Sequence, residues 1–147
     1  MTVLNKLSSV DPSEMPLVID GKTVSGYAAG VQVNIVWDAD AWVHERGNDG
    51  EDTRFATNNF AAVLTITLAQ SSDFNKTLSN LINEDVSTGQ RIFVSSFKDL
   101  NGQTQLSSAK CFILKYADVS VGNTGQNRVW RIKCTNLRGD IGGNTAQ

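Results

Sequence analysis

Apolar and polar positions alternate along most of this chain. Val31, Val33, Ile35 and Trp37 are separated by Gln32, Asn34 and Val36, and Ala62, Leu64, Ile66 and Leu68 by Val63, Thr65 and Thr67. A period of two with one apolar face predicts half-buried strands. Leu17-Val18-Ile19 and Lys22-Thr23-Val24 flank Asp20-Gly21, a two-residue hairpin signature. Further strands are expected over Arg91–Lys98 and Gln105–Val121, with Asn101-Gly102 turning between them. In the second, Phe112, Leu114 and Tyr116 share a face. The last strand, Val129–Leu137, sets Trp130, Ile132 and Cys134 on one side and Arg131, Lys133 and Thr135 on the other.

One segment breaks the period. Phe74, Leu78, Leu81 and Ile82 fall at i, i+4, i+7 and i+8, the apolar stripe of a helix. Ser71, Ser72 and Asp73 offer capping oxygens before it, and Gly89 closes the segment. A single-striped helix of about three turns must bury that stripe on a sheet. The expected fold is therefore α+β, mainly antiparallel, a sandwich or partly closed barrel with one packed helix.

Asp38–Phe60 follows neither period. It is polar, carries charges of both signs, and holds Trp42 and Phe55 around Gly47-Asn48-Asp49-Gly50. More than about 20 residues is long for a structureless loop, so an extended hairpin or functional excursion is expected. Its aromatic anchors and mixed charges suit a protein partner. Asp40, Trp42, Arg46, Asp49, Gly50, Arg54 and Phe55 are the candidate contact residues. Residues 1–16 read as an arm, either loose or ordered on a neighbour, 17–137 as the β domain, and 138–147 as a flexible tail.

Composition narrows the chemistry. There are 147 residues, and 13 Lys+Arg stand against 15 Asp+Glu for a formal charge of −2. That balance argues against gripping nucleic acid, which needs a basic stripe. Ser, Thr and Asn total 38, and no proline follows Pro16, as paired strands require. Met1–Val10 holds no apolar run of signal-peptide kind, and no window reaches the roughly 18 apolar residues of a membrane span. Neither secretion nor a membrane partner is expected.

Catalytic groups are scarce. His44 is the one histidine and sits among charges, as a solvated residue does. Cys111 and Cys134, 23 positions apart in strand-like runs, make no zinc pattern; two buried thiols are expected, with a structural disulfide as the alternative. Gly47–Asp52 lacks the alternating ligands of an EF-hand and reads as a turn. Gly122-Asn123-Thr124-Gly125 fits no phosphate-binding pattern. Neither a catalytic site, a cofactor nor a metal is expected.

Read as a block, Val33–Asp85 resembles the tail tube proteins of contractile-tailed bacteriophages. The shared features begin with the strand Asn34–Asp40 and the turn Gly47-Asn48-Asp49-Gly50. They continue through Thr65-Ile66-Thr67-Leu68-Ala69-Gln70-Ser71-Ser72 into Asn75 and Leu78-Ser79-Asn80-Leu81. Asp73 departs from the proline usual there, and Ala41-Trp42-Val43-His44 is unlike the relatives. Either residue suits a first helical turn.

The resemblance implies a non-enzymatic virion subunit that forms stacked hexameric rings in the phage tail, assembled in the host cytoplasm. Each subunit would lend four strands to an inner barrel of about 24. At roughly 4.8 Å spacing and about 45° tilt, its backbone is about 50 Å across. Side chains narrow the bore to about 40 Å, room for double-stranded DNA to pass without specific binding. Its implied partners are copies of itself and the sheath, baseplate and tail terminator proteins. The mixed aromatic and charged residues of Asp38–Phe60 make that segment the expected stacking element between rings. The tube of a contractile bacteriocin or type VI-like secretion system is the alternative. A ligand-binding or enzymatic β-sandwich is a more distant one.

Overall fold

The computed structural model describes residues 16–30, 32–100 and 102–142. The expected arm, apart from Pro16, and Val31, Asn101 and the last five residues lie outside them. Ten strands and one helix follow in chain order: β1 (Leu17–Ile19), β2 (Lys22–Thr23), β3 (Val33–Trp37), β4 (Trp42–Arg46), β5 (Asp52–Ala56), β6 (Ala62–Leu68), α1 (Phe74–Thr88), β7 (Phe93–Lys98), β8 (Gln105–Lys115), β9 (Arg128–Cys134) and β10 (Arg138–Asp140). Eight strands form one antiparallel sheet in the order β2-β1-β7-β8-β9-β6-β3, with β10 alongside β8; β4 and β5 pair only with each other.

Alternation decides which side of the sheet is inside. Along β6, Ala62, Leu64, Ile66 and Leu68 are buried while the residues between are half-buried. Its neighbour β9 matches it in register, Leu64 opposite Ile132 and Ile66 opposite Trp130. The sheet does not close: its ends are β2 and β3. It does curl, because Leu17 of β1 and Ile35 of β3 line one small gap with Leu64 and Cys134. The architecture is mainly antiparallel β with one helix, and the barrel stays open.

Helix α1 covers the curl. Phe74, Leu78, Leu81 and Ile82 are its buried residues, as the stripe requires. The Phe74 N–H donates to Ser72 Oγ at 3.3 Å, while Asp73 makes no side-chain cap. Trp130 is 3% exposed, and its indole N–H donates to Asn75 Oδ1 at 2.9 Å, pinning the helix's first turn to β9. The Asn75 amide donates back to the Ala69 and Ser72 carbonyls, both at 3.0 Å. At the far end the Gly89 N–H donates to Asp85 O at 2.6 Å.

Two expectations are corrected. In β8 the buried residues are Leu106, Ser108, Cys111 and Ile113, not the Phe112–Leu114–Tyr116 face. Ser95 pairs with Ser108 but Phe93 with Cys111, so one extra residue on β8 reverses the inward phase. The tail expected over 138–147 begins as a strand. Arg138–Asp140 pair with Ser107–Gln105, so β10 continues along the β8 edge where β9 leaves it. Gly139 permits this approach: a Cβ there would lie 1.9 Å from the Gln105 carbonyl oxygen, at a φ of +153°.

The helix generates a direct test. Leucine-to-alanine truncation in a core costs about 2–5 kcal/mol, and an unpaired carboxylate there costs more. Leu81→Asp should abolish soluble folding, while exposed Lys76→Ala should leave the thermal melt unchanged. Equal melting curves for the two would show that α1 packs elsewhere.

Candidate interaction surface

The hairpin leaves the sheet between β3 and β6. At its root the Asp38 N–H donates to Ala61 O at 2.9 Å, and the Thr57 hydroxyl to Asp40 O at 2.6 Å. Five paired positions follow, from Trp42 opposite Ala56 to Arg46 opposite Asp52. All ten ladder residues are exposed. The tip closes with Gly47 N–H to Glu51 O at 2.8 Å and Glu51 N–H to Asp49 Oδ1 at 3.1 Å. Gly50 supplies the left-handed turn position, at φ +86°.

The ladder sorts the side chains into two faces, because opposite residues share a side. One face carries Trp42, His44 and Arg46 with Arg54 and Asp52. The Arg54 guanidinium lies 3.8 Å from the Trp42 ring centroid, a cation–π contact. Arg46 grips Asp52 with both ends of its fork, Nε to Oδ1 at 2.8 Å and Nη2 to Oδ2 at 3.2 Å, and His44 Nε2 lies 3.0 Å from Oδ1. The hydrogen bond from Arg46, and then that from His44, hold the Asp52 carboxyl below its ordinary range. The other face carries Val43 opposite Phe55 and Glu45 opposite Thr53. Val43 and Phe55 are each 52% exposed, and neither packs on the core.

This geometry redistributes the candidate residues. Trp42, Arg46 and Arg54 bind partners within the hairpin, Asp49 and Gly50 shape the turn, and Asp40 acts through its backbone carbonyl. Of the seven, Phe55 alone sits on the unsatisfied apolar face. Val43 shares that face opposite Phe55, a pairing that follows from centring the ladder on the Gly47–Gly50 turn.

Beside the root lies a groove of about 460 Å³, lined by Trp37, Phe60, Leu106, Leu137, Arg138 and Ile141. Trp37 Nε1 donates to Leu137 O at 3.1 Å, and Arg138 stacks 4.5 Å from the Phe60 centroid. Ile141 is 72% exposed.

Besides the short β2 end of the sheet, two longer strand edges are open. Among the described residues no strand pairs with β3 opposite β6, nor with Phe112–Lys115 of β8 on the β7 side, since the β7 ladder ends at Cys111. On the outer face between these edges, Lys133 is paired with Asp38 and Arg131 is exposed.

Among the described residues no group of three or more His, Cys, Asp or Glu side chains could hold a metal ion. No helix there is long and apolar enough to cross a membrane. Cys111 and Cys134 lie opposite each other in β8 and β9 as buried thiols, Sγ to Sγ 3.3 Å. The hydrogen bond with Cys111, then burial, push the Cys134 thiol up.

The Asp52 cluster sets a pH test. A carboxyl depressed in the fold adds stability above its unfolded pKa of about 3.9, and loses it as pH falls through the folded value. Carboxyl NMR should place the Asp52 midpoint below the ordinary range, and Arg46→Ala should raise it. A midpoint unmoved by Arg46→Ala would contradict the bidentate pair.

No protein-family model matches the chain. It is 25% identical to "Structural protein ORF10" of Pseudomonas phage KPP10, over 147 aligned positions covering 95% of this chain and 85% of that protein. Among solved structures, the fold matches the anti-feeding prophage tube terminating cap, with a TM-score of 0.59 at 8% identity over 93% and 94% of the two chains. It also matches the sheath/tube terminator of the PVC extracellular contractile injection system, with a TM-score of 0.53 at 8% identity, covering 90% and 96%. A chain of that system's sheath-tube complex aligns with a TM-score of 0.53 at 10% identity, covering 95% and 93%. The proteins this chain is similar to are structural components of phage and contractile particles, not enzymes.

Proposed function

We propose that this chain is a structural subunit of a phage tail, forming stacked, hexameric rings of the inner tube through which DNA is ejected. The observation that carries this reading is the pair of open edges, β3 and Phe112–Lys115, at opposite sides of the four-stranded segment β3-β6-β9-β8. An exposed edge is a template for another strand. Two different edges on one sheet make a heterologous contact, which closes into a ring when the rotation allows. Each copy then contributes four strands to one continuous barrel, and the hairpin reaches onto a neighbouring copy.

The outer face between the edges becomes the bore. Pairing Lys133 with Asp38 leaves few bare cations there, which suits DNA that must pass and not be held. Sheath, baseplate and terminator proteins are the proposed partners in the virion, with assembly in the host cytoplasm. A tube subunit of a bacteriocin or secretion machine would use the same contacts without packaged DNA.

A second reading, a terminating ring at the end of the tube, is favoured by the fold match to two terminator proteins. Copy number separates the two. Electron microscopy of concentrated protein should show rings or tubes, and quantitative mass spectrometry of particles should give many rings' worth of the chain. A single ring's worth would favour the terminator. A protein monomeric in light scattering even with baseplate components present would end both.

A further inference from the structure

We propose that the Val43–Phe55 face of the hairpin seats in the Trp37–Phe60–Ile141 groove of a second copy at the same level of the ring, with Glu45 meeting Arg138. The inference rests on the ring reading and names the contact that the hairpin makes within it.

On the charged face of the hairpin Arg46 and His44 pair with Asp52 and Arg54 stacks on Trp42, so those charges already have partners, though the side chains stay exposed. Its other face is an apolar pair with one carboxylate further along, Glu45. The pair is directly opposed, so the two side chains form one knob and not two scattered apolar residues. A ribbon presenting one dry, half-exposed face has a docking side, and here it is the side opposite the charges.

The groove offers the complement. Its lining sets Trp37, Phe60, Leu137 and Ile141 beside about as much polar surface, and its one charged residue is Arg138. At about 460 Å³ it falls within the roughly 300–1,000 Å³ of sites that enclose a ligand-sized group. A knob with an acidic neighbour and a groove with a basic one match in charge, and the aromatic side chains of the groove offer the knob apolar contact. The knob does not fill the groove of its own chain, because Val43 and Phe55 remain half exposed.

Position then selects the neighbour. Trp37 and Phe60 flank the hairpin in sequence, so hairpin and groove share one end of the sheet. Copies stacked head to tail would present opposite ends to each other. Copies side by side in one ring hold hairpin and groove at the same height. A five-residue ladder spans about 17 Å, enough to cross the three or so strand spacings from the β3 edge of one copy to Leu106 and Arg138 of the next. The hairpin thus acts within a ring, and the stacking contact between rings falls to other surfaces.

The test uses full-length protein and reads proximity as well as assembly. Glu45→Arg and Arg138→Glu should each cut the assembled fraction roughly tenfold, and the double variant should recover it. Circular dichroism melts equal to the parent would exclude misfolding. In a mixture of Glu45→Cys and Ile141→Cys proteins, mild oxidation of assembled material should give a cross-linked pair containing one of each. Rings that form normally with no 45–141 cross-link, or reversal variants that assemble like the parent, would overturn this contact and leave the ring reading standing. A parent protein that forms no assembly would overturn both.

Discussion

Leu64 and Ile66 on β6 meet Ile132 and Trp130 on β9 in strict register, all four pointing to the same side of the sheet. This inward row is the constraint on which the rest depends. A sheet with one apolar face must curl or be covered, and α1 lays Phe74, Leu78, Leu81 and Ile82 over the curl. The Trp130 to Asn75 bond fixes where the helix starts, in place of an unsatisfied indole N–H. The inward positions go to this one core, so the outer face and the edges of β3 and Phe112–Lys115 stay uncovered in the single chain.

How much of this could be read beforehand varied with the physics of each segment. The striped helix and the alternating strands β3, β6 and β9 were legible, because burial on one face writes a period into the sequence. The inward phase of β8 was not. Its bulge shifts the pairing between Ser108 and Cys111, and no composition signal marks where the extra residue lies. β10 was hidden for a related reason. Arg138-Gly139-Asp140 has no strand propensity, and pairs because Gly139 lets the backbone approach Gln105.

The hairpin divides the same way. Its unusual mixture of charge and aromatic residues pointed to an excursion, and the Gly47–Gly50 turn to its tip. Which residues share a face of the hairpin depended on the ladder register. Charge and aromaticity drew attention to Trp42, Arg46 and Arg54, which pair within the hairpin while staying exposed. The pairing of Val43 with Phe55 on the opposite face follows only from that register.

The central claim of this account is that the sheet continues from one copy into the next through β3 and Phe112–Lys115. Backbone amide exchange, compared between free subunit and assembled particle, addresses it directly. An open strand edge exchanges readily, and a paired one is protected. The account predicts that outward-facing amides of Val33–Trp37 and Phe112–Lys115 gain strong protection on assembly, while the β6–β9 ladder is already protected in the subunit. Assembled particles in which both edges exchange as fast as in the free subunit would contradict it.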